Sequence, residues 1–276
     1  MRGFWLLLLA AGAVLLGLAS SGVLTGLRPT MTQALGQLQG AARQAPALDS
    51  QGRAARQTGW QEISPGVQMR RWHVAVEGLR VPVIAVRADA SRFRIGTGAT
   101  LDVAAWRRRL ASEAVVNGGF FDTDGRTLGL RISRGKQISP LRSADWGVFY
   151  VSPKGARIVH TRDWAGWSKR VKARVREAVQ CGPRLVVAGR VLQLKPQWAR
   201  RTGLGIMRDG RIVLAVTEDE MSFAGWAALW ARRDGLNCID ALNLDGGGST
   251  QMSVRAAKAF YDVSGAWPVP DVVALK

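Results

Sequence analysis

Leu204-Gly205-Ile206-Met207-Arg208-Asp209-Gly210-Arg211-Ile212-Val213-Leu214-Ala215-Val216 is the stretch on which the fold turns. Two short apolar runs, too short for helices and rich in branched side chains, flank Asp209-Gly210. That dipeptide tolerates positive φ and so closes a hairpin. The same grammar recurs on both sides. Val67 to Val76 and Val81 to Val86 flank Glu77-Gly78-Leu79-Arg80; Leu128 to Ser133 turns at Arg134-Gly135; Val148 to Val151 turns at Pro153-Lys154-Gly155; Leu185 to Val187 turns at Ala188-Gly189. Antiparallel pairing therefore dominates. Helical patterns interrupt it over Val103 to Ala111, Lys169 to Val179 and Ser222 to Arg233. In the last, Ser222 is an N-cap, Phe223, Trp226, Ala227 and Trp230 form a core stripe, and Gly235 is the stop. The fold class that follows is α+β: a single domain over residues 60–276, with a mixed, mainly antiparallel β-sheet and flanking helices.

Upstream the composition changes. After Met1-Arg2-Gly3, an uncharged run from Phe4 to Leu27 ends at Arg28. It reads as an export signal, with small residues at Ala19-Ser20-Ser21, or as an N-terminal membrane anchor over residues 4–27. Residues 28–59, rich in Ala, Gln, Gly and Arg, lack the large apolar side chains that would order them and read as a flexible tether. The expected location is exported, periplasmic or extracellular.

The 276 residues carry 39 Lys and Arg against 20 acids, a net charge of +19, with 47% hydrophobic residues. Whole-chain disorder is ruled out. The charge suits anionic surroundings such as an envelope surface without naming them. No aromatic-basic motif of the RNA-binding type accompanies it, and with the leader this makes nucleic acid an unexpected partner. Arg107 to Arg109 and Lys169 to Arg176 read as solvated basic faces. Two histidines (His73, His160) and two cysteines (Cys181, Cys238) cannot build a tetrahedral Cys/His zinc site. In an oxidising compartment Cys181 and Cys238 could form a disulfide; two buried thiols is the equal alternative.

Four segments depart from strand and turn. They are Val115-Val116-Asn117-Gly118-Gly119-Phe120-Phe121-Asp122, Cys181-Gly182-Pro183-Arg184-Leu185-Val186, Arg201-Thr202-Gly203-Leu204-Gly205, and Leu242-Asn243-Leu244-Asp245-Gly246-Gly247-Gly248-Ser249-Thr250-Gln251-Met252. Consecutive glycines after an apolar strand cost entropy and add no packing, so they mark places where backbone takes unusual φ/ψ or approaches a ligand. Asn117 and Asp245 would stand at strand ends over a cleft. The Asp245 segment offers backbone N–H groups and two hydroxyls to an anion, but lacks the Lys and spacing of a nucleotide-binding Walker loop.

In their order and spacing, Asn-Gly-Gly-Phe-Phe (117–121), Gly-Pro-Arg-Leu (182–185), Arg-Thr-x-x-Gly (201–205) and Asn-Leu-Asp-Gly-Gly-Gly-Ser-Thr (243–250) resemble the signature of the phosphodiester glycosidase family. The resemblance spans roughly residues 66–275, with departures at Cys181 and Gly203. It implies a hydrolase that cleaves the C1–O bond of a sugar 1-phosphodiester in a phosphorylated glycan. It calls for no cofactor and leaves a divalent cation open. A departing phosphate is a weak base, so little general-acid help is needed, while charge developing at C1 requires a carboxylate. Asp245 would be that carboxylate. Arg201 would grip the phosphate through two parallel N–H bonds, and Asn117 would orient a sugar hydroxyl or the water. Gly118, Gly119, Phe120, Gly182, Thr202, Gly246, Gly247, Gly248, Ser249 and Thr250 would line the substrate and phosphate site. Asp122, Glu218 and Asp240 are candidates for a second carboxylate, with turn or surface roles the default. The competing reading is a non-catalytic phosphoglycan binder of the cell envelope.

Overall fold

The computed structural model describes residues 59–276; the leader and nearly all of the tether read from the sequence lie outside the described residues. The hairpins form where the turn chemistry puts them. Val67–Val76 pairs with Leu79–Ala88 around Glu77 (φ 49°) and Gly78 (φ 79°), a two-residue turn with both φ values positive, whose twist matches that of its strands. Thr202–Met207 pairs with Ile212–Thr217 across the Asp209-Gly210 turn, where the Asp209 carboxylate accepts the Arg211 N–H at 3.1 Å.

These hairpins assemble into three main sheets. The largest, sheet I, has eight strands in the order Gln61–Ser64, Val67–Val76, Leu79–Ala88, Ile212–Thr217, Thr202–Met207, Cys238–Asn243, Arg184–Val187 and Arg190–Val191. Sheet II has five, in the order Lys136–Ser139, Arg131–Ser133, Glu177–Cys181, Gly147–Ser152 and Gly155–His160. Sheet III also has five, in the order Ala259–Val263, Met252–Ala256, Ala114–Asn117, Val269–Leu275 and Phe93–Leu101. Every strand pairing among the described residues is antiparallel, so the expected mixed sheet is corrected to several antiparallel ones, and the chain is mainly β.

Alternation sorts the side chains between cores. In Ile212–Thr217, Ile212, Leu214 and Val216 face a central core shared with Phe93, Val116, Phe149 and Val273 of the other sheets. Val213 and Ala215 face the opposite side, under Trp226 and Trp230. A strand covered on both faces has no polar side, which is why this one reads as a continuous apolar run. Short helices close the outer faces. Helix α1 (Val103–Leu110) lays Val103 and Trp106 on sheet III, and α2 (Thr161–Ala165) sets Trp164 against Tyr150 and Val148 of sheet II. Helix α3 spans only Lys169–Lys172, and α4 (Phe223–Ala231) starts at the Ser222 cap, whose hydroxyl accepts the Gly225 N–H at 3.1 Å.

The helix expected over Lys169 to Val179 is corrected: after α3 the chain becomes the strand Glu177–Cys181, buried throughout. Ala178 packs into the outer core of sheet II while Val179 and Cys181 pack into the central one. Neighbouring strands on both sides outweigh a local helical pattern that was mostly charge. The Cys181–Cys238 bridge is not formed either. Both thiols are free and buried, Cys181 in the central core and Cys238 beneath α4 on the far side of sheet I. Among the described residues no helix is long and apolar enough to cross a membrane.

Candidate active site

Asp245 leaves the end of Cys238–Asn243 and enters a pocket of about 440 Å³ lined by Phe120, Asp145, Trp146, Gly182, Pro183, Gln197, Ala199, Arg201, Phe223, Asn243, Gly246 and Gly247. Its Oδ1 accepts the Gly246 N–H at 3.0 Å. Burial pushes the Asp245 carboxyl above the ordinary aspartate value, with the Asp271 charge adding to it, against pulls from the Ser249 hydroxyl, the Gly246 N–H and Arg131. A carboxyl shifted up in an open pocket, rather than in a sealed core, makes Asp245 a candidate functional group.

Arg201 lines the same pocket, but in a different posture from the one expected. Its Nε donates to the Met221 carbonyl at 3.0 Å and its Nη2 donates to the Gln197 carbonyl, while the guanidinium lies 3.6 Å over the Phe223 ring. One edge of the fork is thus committed to backbone, and the two-pronged grip along that edge is corrected. Nη1 has no hydrogen-bond partner among the described residues. Burial pulls the group down to about 10, so it is still a cation at neutral pH.

Asn117 is corrected more sharply. It is fully buried and all of its amide is in use: Oδ1 accepts from the Thr202 hydroxyl at 2.8 Å and the Gln251 N–H at 3.1 Å, and Nδ2 donates to the Asp245 carbonyl at 2.8 Å. It positions the Asp245 backbone and has nothing left for a substrate. Thr202 likewise serves as its partner.

Gly118 and Gly119 serve the interior rather than the ligand. A Cβ on Gly118 would stand 1.8 Å from Asp271 Oδ1, and one on Gly119 would stand 2.3 Å from Arg131 Nη2. The two glycines make room for a buried ion pair that sequence reading missed, Arg131 Nε to Asp271 Oδ1 at 2.9 Å. Of the remaining expected positions, Phe120, Gly182, Gly246 and Gly247 reach the pocket and Gly248, Ser249 and Thr250 do not line it. Gly248 packs on the Trp267 ring, and the Ser249 hydroxyl accepts from Trp267 Nε1 at 3.0 Å.

The second-carboxylate candidates keep their default roles. Asp122 closes a turn by accepting the Arg126 N–H at 2.8 Å, Glu218 accepts from Tyr261 at 2.9 Å, and Asp240 accepts the Ala188 N–H at 3.0 Å. Sequence reading missed Asp145, Trp146 and Asn243. Asn243 lies two residues before Asp245 in the segment already singled out, so period-2 alternation along the strand put it within reach. Asp145 and Trp146 stand in a loop without a motif. Among the described residues, no group of three or more His, Cys, Asp and Glu is gathered to hold a metal.

Fold and pocket together define the chain as a β-sheet protein with an open cleft that holds an acid and an arginine, and the fold is one found in solved structures. The catalytic domain of zebrafish N-acetylglucosamine-1-phosphodiester alpha-N-acetylglucosaminidase, auto-inhibited by its pro-peptide, superposes with a TM-score of 0.62 at 16% identity, over 78% of this chain and 85% of that one. A hypothetical protein from Synechocystis gives a TM-score of 0.57 at 15% identity, over 77% of this chain and 63% of that one. At such identity the likeness is one of fold. No curated protein matches the sequence. The family profile for phosphodiester glycosidases matches residues 111–276, and the chain belongs to that family.

Proposed function

We propose that the protein is an exported hydrolase that cleaves the C1–O bond of a sugar 1-phosphodiester in envelope or extracellular glycans. The observation that carries this reading is the presence of the Asp245 carboxyl and the Arg201 cation in one pocket. Arg201 meets the phosphate through Nη1, and Asp245 meets the positive charge that develops at C1. As the C1–O bond breaks, its electron pair leaves with the phosphomonoester. Water supplies the oxygen that returns to C1, and its proton passes to solvent. The poor basicity of the leaving phosphate removes the need for a strong general acid. The apolar run over residues 4–27 supports the exported location, and the printed name of the zebrafish relative supports the sugar 1-phosphodiester class.

The test is turnover of a panel of sugar 1-phosphodiesters by the purified full chain, reading free sugar and phosphomonoester, with a chelator control. Release that is lost in Asp245→Asn is the expected result. Tight binding across the panel without release would replace the hydrolase with a phosphoglycan binder.

A further inference from the structure

We propose that Asn243 reads the sugar: its Oδ1 accepts a hydrogen bond from one ring hydroxyl of the substrate. This rests on the hydrolase reading for the identity of the ligand, and on geometry for the residue. Asn243 lines the pocket and is only 4% exposed. Its Nδ2 donates to the carbonyls of Gly182 at 3.2 Å and Leu244 at 2.6 Å, which fixes the orientation of the amide, because only the nitrogen can donate to two carbonyls. The Oδ1 atom is then a buried acceptor with no partner among the described residues. Buried acceptors are almost always paired, so one left unpaired on a residue that lines a pocket points to a donor on the ligand.

The chemistry of the two ends of the substrate decides which end that is. A phosphodiester at neutral pH carries no donor, and its oxygens would be repelled by an amide oxygen. A sugar ring is rich in hydroxyl donors. Asn243 therefore belongs to the sugar end.

Its surroundings agree. Gly182 lets the Trp146 ring lie close, since a Cβ there would stand 2.5 Å from the ring, and Phe120 packs on Trp146 with ring centroids 5.0 Å apart. This aromatic wall suits the apolar face of a sugar. At its rim stands Asp145, a second acceptor. His160 accepts the Arg162 N–H at its Nδ1 at 3.0 Å, so its proton sits on Nε2, which donates to Asp145 at 2.6 Å. That hydrogen bond, reinforced by the charges of Arg184 and Arg162, holds the Asp145 carboxylate ionised. Arg201, the cation of the lining, keeps other company, donating to the Gln197 carbonyl and lying over the Phe223 ring. The lining thus falls into two contact groups, Asn243 with Gly182, Trp146 and Phe120, and Arg201 with Gln197 and Phe223, and the first suits the sugar while the second suits the phosphate. Because Asn117 is fully engaged in the interior, the sugar-reading role falls to Asn243.

The experiment titrates the full chain with inorganic phosphate and with methyl pyranosides of glucose, mannose and N-acetylglucosamine. The glycoside that binds is then tried with each hydroxyl in turn replaced by fluorine, which accepts but does not donate. One position is expected to weaken binding about tenfold in the wild type and to cost nothing further in Asn243→Ala, with phosphate affinity equal in the two proteins. The proposal is overturned if no fluorinated position costs more in the wild type than in the variant. It is equally overturned if Asn243→Ala loses phosphate as much as glycoside, or if no glycoside binds. Should the variant fail to fold, the wild-type scan decides alone, since tolerance of fluorine everywhere refutes it. Glycoside binding of the expected pattern with no phosphodiester turned over keeps Asn243 and removes the hydrolase; turnover without the pattern does the reverse.

Discussion

Removing Asp271 tests whether a buried charge pair holds the loop that shapes the site. Arg131 and Asp271 meet at 2.9 Å with side chains 0% and 1% exposed. Asp271 also accepts the Gly119 N–H at 3.1 Å and the Thr127 hydroxyl at 2.9 Å, while Arg131 donates to the carbonyls of Leu130 at 3.0 Å and Gln180 at 2.8 Å. The next link runs from the Gly118 carbonyl to the Asp245 N–H at 3.1 Å. Asp271→Ala strands the guanidinium in a buried interior, a change that costs about 3–5 kcal/mol. For a domain of this size, each kcal/mol moves the midpoint by roughly 2–4 °C, so a drop of about 6–20 °C is expected. Differential scanning calorimetry and urea melts read it. Replacing both partners, Arg131→Met with Asp271→Leu, removes the stranded charge and should recover much of the loss. A loss below ~1 kcal/mol in Asp271→Ala, or a double variant as weak as the sum of its singles, would refute the reasoning.

Asp245→Asn should lower kcat at least ~100-fold with substrate binding little weakened, measured by steady-state kinetics on an active phosphodiester. The same change should stabilise the protein at pH 7. Burial raises the folded value of Asp245, so its contribution to stability is present at low pH and lost as pH rises through that value; the gain from Asn should vanish in acid, which melts across a pH series will show. The wild-type kcat/KM should fall on the acid side at a pH above the ordinary aspartate value. Arg201→Lys keeps a cation but not the contacts to Met221, Gln197 and Phe223, so binding, turnover and midpoint should all fall, and fall further in Arg201→Ala; a Lys variant with wild-type KM would remove Arg201 from the phosphate side. Thiol titration of unreduced protein should find two free cysteines that react only after denaturation, since burial pushes the Cys181 thiol up to about 12; zero free thiols would restore the bridge.

Much of the fold is written locally. Glu77-Gly78, Arg134-Gly135 and Ala188-Gly189 take positive φ values that suit two-residue turns, and the strands on either side have no other partner so close in the chain. The Ser222 cap and the tryptophan stripe of α4 are equally local, because a helix repeats every few residues. The segment around Asp245 stands out for the same reason, since an acid followed by three glycines breaks off the apolar strand before it. What the sequence could not decide is the fate of groups whose partners lie far along the chain. Asn117 and Asp245 are 128 residues apart, and Arg131 and Asp271 are 140 apart, so nothing in either neighbourhood shows that the asparagine turns inward or that Gly118 yields its space to an ion pair. Lys169 to Val179 carries a helical pattern of charge, yet pairing with two strands made its second half a buried strand. Local propensity is worth tenths of a kcal/mol per residue, whereas burial of a large side chain contributes about 1.5–3 kcal/mol. Tertiary contacts therefore set which polar groups face the pocket, and they chose Asn243, Asp145 and Trp146.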